Sequence, residues 1–124
     1  MAIKIDNIKA TNIELTPAIY DYIDKKMEML EKFVDENDTS VSASIEVGKT
    51  TNHHQNGDVF RAEINFSIGG KQFRAVSETE DLYAAIDEMK DDLAHSLLSD
   101  KEKQQTLMRK GASQLKNLIK GFRK

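Results

Sequence analysis

Cysteine and tryptophan are absent from this 124-residue chain, proline occurs once and histidine three times. Without cysteine, disulfides and thiolate metal sites are excluded. No apolar run approaches the length needed to span a bilayer, and the opening Met-Ala-Ile-Lys-Ile-Asp lacks a basic flank followed by an apolar stretch, so a cytoplasmic protein is expected. Three histidines leave little for catalysis. His53 and His54 are neighbours in a polar stretch, where adjacent residues rarely converge with Asp58 on one ion. His95, one turn after Asp91, reads as an exposed histidine beside a helix carboxylate rather than a ligand pair. Neither a Gly-x-x-x-x-Gly-Lys-Ser/Thr loop nor a Gly-x-Ser-x-Gly elbow occurs, which removes support for nucleotide hydrolysis and acyl transfer. The expectation is a protein that is not an enzyme and takes no cofactor and no metal.

What the chain does have is charge, unevenly placed. At 124 residues it suffices for one domain with one core, and 31% charged against 39% hydrophobic residues suits a small domain with a large wetted surface. Residues 1–99 hold 10 Lys/Arg against 19 Asp/Glu, a net of −9, whereas residues 100–124 hold 8 against 2, a net of +6. An acidic body therefore carries a basic tail, able to attract a phosphate backbone or to lie on its own domain.

Taken in order, Ile3, Ile5 and Ile8 predict a strand over residues 2–9 whose register shifts near Asn7. Thr16-Pro17 signals a helix start, and Ile19, Ile23, Met27, Leu30 and Val34 recur at helical spacing through residue 35. Alternation of Val41, Ala43, Ile45 and Val47 predicts a strand over about 40–49, and the polar segment 49–58, with its Asn56-Gly57 pair, reads as a mobile hairpin loop. A third strand follows with Phe60, Ala62, Ile64, Phe66 and Ile68 on one face, then a Gly69-Gly70 turn and a fourth strand to Glu78. Leu82, Ile86, Met89, Leu93 and Leu97 form the apolar stripe of a second helix, with Thr79 as its expected cap. The order β-α-β-β-β-α predicts a two-layer α+β domain over residues 1–99, both helices packed on one face of a four-stranded sheet. In residues 100–124, Leu107, Met108, Leu115, Leu118, Ile119 and Phe122 suggest a short helix near 104–121. Gly111 and Gly121 weaken it, so a loosely attached basic C-terminal tail is expected.

Three pieces of the chain, Ile13-Glu-Leu-Thr-Pro-Ala-Ile19, Leu30-Glu-Lys-Phe33 and Asp81-Leu-Tyr-Ala-Ala-Ile-Asp87 with Leu93 and Leu97 after it, occur in one order over roughly residues 3 to 98. They resemble the ribosome hibernation-promoting factors, also called ribosome-associated translation inhibitors, in their short form. The resemblance implies a non-enzymatic protein that binds the small ribosomal subunit and its ribosomal RNA in the channel otherwise used by messenger and transfer RNA. It implies no membrane and no DNA partner, and a free protein that is a monomer. The topology is also similar to the double-stranded-RNA-binding domain. That family grips phosphates with lysines at the start of its last helix, where this chain reads Thr79-Glu80-Asp81, so its binding mode is not expected.

Composition offers scattered cations as RNA contacts: Lys25, Lys26 and Lys32 on the first helix, Arg61, Lys71 and Arg74 on the strands, Lys90 on the second helix, and Lys101, Lys103, Arg109 and Lys110 in the tail. The resemblance implies such a role for Lys26, Lys32, Arg61 and Arg74 in particular. Tyr20 and Met29 stand where the family usually has Arg and Lys, and Asp92 and His95 where its second helix commonly reads Lys and Arg. These departures weaken the body's hold on phosphate and assign more of it to the tail. The alternative reading is a protein-binding adaptor that keeps the fold but not the RNA surface, its acidic helices docking a basic partner.

Overall fold

The computed structural model describes residues 3–35, 37–50 and 58–122, with side chains through Gly111. Strand β1 (Lys4–Thr11) leads into helix α1 (Pro17–Glu28), and β2 (Ser42–Thr50), β3 (Val59–Ile68) and β4 (Lys71–Thr79) precede helix α2 (Leu82–Phe122). The sheet order is β1-β2-β3-β4, with β1 parallel to β2 and the other neighbours antiparallel. This is the expected two-layer α+β arrangement, a mixed four-stranded sheet with two helices.

Local chemistry explains most element boundaries. The register shift lies between Ile5 and Asn7, so Asp6 is the extra residue and Ile5 and Ile8, three apart, pair with the inward Ala43 and Ile45. Thr16 caps α1: its Oγ1 accepts from the Ile19 amide at 3.2 Å, and Pro17 occupies the first turn. The helix does not reach residue 35 as the periodicity predicts. It ends at Glu28, and a 3₁₀ turn follows at Glu31–Phe33. Met27, Leu30 and Phe33 are spaced by threes, which suits three residues per turn, and the amides of Leu30 and Phe33 donate to the carbonyls of Met27 and Leu30.

Gly69 and Gly70 take φ of +54° and +82°, forming the turn that joins Ile68 to Lys71. Gly48 has a different reason: a Cβ there would lie 2.6 Å from the Thr11 carbonyl oxygen, so the β1–β2 approach requires glycine. The expected loop with Asn56-Gly57 falls on 51–57, outside the described residues. The cap of α2 is Asp81 rather than Thr79. Strand β4 continues to Thr79, which pairs with Phe60, so the helix starts later; Asp81 Oδ2 accepts from the Ala84 amide at 3.2 Å while Thr79 Oγ1 accepts from the Asp81 amide.

One cluster forms the core. Ile19, Ile23 and Met27 of α1 and Leu82, Ile86, Met89, Leu93 and Leu97 of α2 meet Ala43, Ile45, Val47, Ala62, Ile64, Phe66 and Ala75 from one face of the sheet. The largest difference from the sequence reading is at the C-terminus. There is no separate short helix: α2 is continuous for 41 residues, about 62 Å at 1.5 Å per residue, and crosses residue 100 without a break. Residues 101–111 are all exposed, so this part of the helix overhangs the domain.

Ile86 and Leu93 are fully buried under the sheet. Alanine at either position is expected to cost about 2–5 kcal/mol, read from denaturant midpoints, whereas Leu107→Ala on the overhang should change stability by no more than about 0.5 kcal/mol.

Candidate nucleic-acid interface

The sheet leaves one face open, and strand register sets its composition. Pairing aligns Lys4, Ser42, Ser67 and Gln72 in one row and Asn7, Ser44, Asn65 and Arg74 in the next. Ser42, Ser44, Asn65, Ser67, Gln72 and Arg74 of these rows, with Asp6, Phe66 and Phe73, border a groove of about 360 Å³. The remaining rows, Lys9-Glu46-Glu63-Val76 and Thr11-Gly48-Arg61-Glu78, are more highly charged. Lys4 and Lys9 lie on the same face as Arg61 and Arg74, with side chains 80% and 65% exposed. The alternation of β1 was the signal that could have added them to the candidates.

The candidate cations do not form one patch. Arg61 pairs with Glu63 at 3.2 Å and Glu78 at 3.7 Å, and Arg74 Nε donates to Glu63 at 3.0 Å. Hydrogen bonding from Arg74, opposed by partial burial and aided by both arginine charges, lowers the Glu63 pKa below the usual glutamate value. Lys4 and Lys9 lie near Asp6 and Glu46. The open face therefore balances its own charge. Lys71, at the start of β4, pairs with Asp100 of α2 at 3.0 Å, and Lys90 pairs with Asp91. Asp91 is thus engaged by Lys90, and His95 is exposed further along the helix.

Lys26 has a structural use. Its Nζ lies 2.9 Å from Asp87 Oδ1 and 5.1 Å from the centre of the Tyr22 ring, and the Tyr22 hydroxyl donates to the same oxygen at 2.7 Å. Tyr22 also meets the Tyr83 ring edge-on, with centroids 4.8 Å apart, so this group ties α1 to α2. Desolvation pushes the Asp87 pKa up, but the hydrogen bonds from Tyr22 and Lys26 and the charges of Lys26 and Lys90 outweigh it, and the net shift is downward. The same bonds to Asp87 raise the pKa of Tyr22 and of Lys26. Lys25 and Lys32 are exposed and have no carboxylate partner among the described residues; Lys32 lies 5.2 Å from the Phe33 ring centre.

Around these lysines the helical layer is acidic, with Asp21, Glu28, Glu88, Asp91 and Asp92 exposed, and Tyr20 and Met29 add apolar surface at 47% and 54% exposure. Lys101, Lys103, Arg109 and Lys110 are exposed on the overhang and have no ion-pair partner among the described residues. A polyanion would therefore meet mostly self-neutralised charge on the sheet, net negative charge on the helices, and available positive charge on the overhang. His53 and His54 lie outside the described residues; Asp58 pairs with Lys49 at 3.1 Å. No group of three His, Cys, Asp or Glu side chains suited to a metal is present among the described residues.

A mixed four-stranded sheet with two helices on one face and a long last helix defines a small α+β class. Residues 7–105 match the family described as Sigma 54 modulation protein / S30EA ribosomal protein, and the chain belongs to that family. It is 35% identical over 97 residues to a ribosome hibernation promoting factor of Klebsiella oxytoca, covering 78% of this chain and 93% of that protein. Against the Pseudomonas putida ribosome hibernation promoting factor, identity is 33% over 107 residues, covering 86% and 96%. Among solved structures, the N-terminal domain of Thermus thermophilus Protein Y superposes with a TM-score of 0.62 at 31% identity, covering 76% of this chain and 94% of that one. A ribosomal subunit interface protein from Coxiella burnetii shares the fold, with a TM-score of 0.60 at 19% identity over 82% of this chain and 99% of that one.

The Tyr22–Asp87–Lys26 group generates a pH expectation. Because the folded Asp87 pKa is depressed, its contribution is present above the ordinary aspartate value and is lost as pH falls through the folded value. Asp87→Asn should lower stability at neutral pH by about 0.5–1 kcal/mol, the low figure reflecting solvent screening, and should flatten the acid limb of the stability curve. Thermal melts of both proteins from neutral to acid pH measure this.

Proposed function

We propose that this protein is a non-enzymatic ribosome hibernation factor that binds the small ribosomal subunit in the cytoplasm, occupies the path of messenger and transfer RNA, and silences idle ribosomes by occupancy. The observation that carries the reading is family membership with near-complete coverage of a relative named as a hibernation promoting factor, 93% of its length. Its partner on this reading is ribosomal RNA, not DNA or a membrane. The exposed cations of the overhang supply the long-range attraction, and residues 100–124 act as an electrostatic arm of the domain formed by residues 1–99, with a net +6 against −9. Lys25 and Lys32, together with Arg61 and Arg74 once their carboxylate partners yield, make the closer contacts.

The acidic outer face of α1 and α2 favours a second reading, in which the same fold docks a basic protein and RNA contact is secondary. Salt separates the two, since phosphate neutralisation releases counterions and makes affinity fall steeply with added salt.

The experiment is binding of the full chain to purified small subunits across salt concentrations, alongside Arg109→Glu/Lys110→Glu and Lys32→Glu variants. Hibernation through RNA predicts a steep slope, flattened by about 2 in the double variant and by about 1 in the single one, with thermal stability unchanged. Salt-insensitive binding, or no change in the variants, points to the adaptor. Competition by messenger RNA for the bound protein tests channel occupancy.

A further inference from the structure

Another cavity lies at the end of the domain where α2 leaves the sheet. Its apolar part is formed by Phe33 of the 3₁₀ turn, Ile68 and Phe73 beside the Gly69-Gly70 turn, and Leu97 of α2, and it holds about 300 Å³. Leu97 is buried, but Phe33, Ile68 and Phe73 are only half-buried, so the core ends here with two aromatic side chains open to a ligand. The polar part consists of Lys71, Asp100, Lys101 and Gln104, the last two exposed on the first turn of the overhang.

Two features separate this place from the rest of the helical layer. The first is charge. Lys71 and Lys101 outnumber Asp100 in the lining, and Lys32 stands 5.2 Å from the ring centre of Phe33. Lys71 is held by Asp100, whereas Lys32 and Lys101 have no ion-pair partner among the described residues. The second is that the walls are fixed before anything enters. Gln104 Nε2 donates to the same Asp100 carboxylate at 3.2 Å, and the Gly69 amide donates to Ser40 Oγ at 2.8 Å. An aromatic and aliphatic pocket with cations at its mouth suits a flat, uncharged ring joined to an anionic group, which is the chemistry of a nucleotide.

The surroundings extend this beyond one nucleotide. Phe73 also borders the groove on the open face of the sheet, so only the edge strand β4 separates the two cavities. That groove offers the hydroxyls and amides of Ser42, Ser67, Asn65 and Gln72, which suit ribose hydroxyls, and on the other side the overhang continues with Lys103, Arg109 and Lys110. We propose that the pocket takes one unpaired base of a single-stranded RNA, with Lys32 and Lys101 on the adjoining phosphates and the strand passing round β4 onto the open-face groove. Such a site rests on the ribosomal RNA reading and adds to it a contact with a base, where that reading invokes phosphate alone.

The test compares the full chain's binding to a labelled ten-nucleotide oligoadenylate with its binding to an abasic strand of the same length, which keeps the sugars and phosphates but has no ring to stack. The intact strand should bind about tenfold more tightly, within the range for one stacked base. Phe73→Leu and Phe33→Leu, which keep apolar packing, should each reduce that preference without weakening the abasic strand, and melting curves confirm that both variants fold. Lys101→Glu should weaken both strands alike. The oligodeoxyadenylate should bind less tightly than the RNA. Equal affinity for intact and abasic strands overturns the base pocket and needs no variant to show it. Equal binding of the DNA overturns the assignment of the groove to ribose, and competition by adenosine monophosphate as effective as that by the strand gives the pocket to a free nucleotide instead. Binding to small subunits, measured in parallel, keeps the two readings apart: steep salt dependence there without a base preference overturns only the pocket, whereas loss of salt-dependent subunit binding overturns the ribosomal RNA reading itself.

Discussion

Packing of α2 across the core face of the sheet is the contact on which the rest of the structure depends. Ile86, Met89 and Leu93 are fully buried against a face built from Ile45, Ile64 and Phe66. Removal of these side chains from water supplies the main driving force for a domain whose remaining surface is largely polar. The same packing fixes the line along which α2 leaves the domain. Beyond the pair of Asp100 with Lys71 at the sheet's end, residues 101–111 are exposed, and the helix there presents both cations and the apolar Leu107 and Met108 to solvent.

A second constraint is electrostatic. The body has nearly twice as many acidic as basic side chains, and most of its cations are held by carboxylates: Lys26 by Asp87, Lys71 by Asp100, Arg74 by Glu63, Arg61 by Glu63 and Glu78. Exposed pairs of this kind add little stability. Their larger effect is on recognition, because an arginine engaged by a glutamate offers a phosphate less net attraction than a solvated one. Lys26 is the clearest instance. The resemblance to hibernation factors marks it as a basic RNA-facing position, while the structure places it between Tyr22 and Asp87 as part of the link between helices.

Membership in the family and this charge distribution together shape the functional reading. The fold is that of proteins named for ribosome hibernation, but the outer helical face, with Asp92 where the resembling family commonly has a basic residue, is poorly suited to phosphate. Positive charge is instead concentrated on the overhang, where Lys101, Lys103, Arg109 and Lys110 are exposed.

Several features were determined by the sequence itself, because they depend on local periodicity or on a single residue's stereochemistry. Alternation in 41–47 and 60–68, the three-four spacing from Leu82 to Leu97, the Thr16-Pro17 start and the Gly69-Gly70 turn each specify their element without reference to the rest of the chain. The candidate cations could be named in the same way, since charge is a property of residue type. Tertiary structure decided what those cations touch. Glu63 meets Arg74 only because β3 and β4 pair in one register, and Asp87 meets Lys26, 61 positions away, only because their two helices share a sheet face. It also decided the course of the C-terminus: glycine lowers helix propensity locally, whereas α2 enters residue 100 already formed and anchored, so extension needs no new nucleation and Gly111 does not stop it.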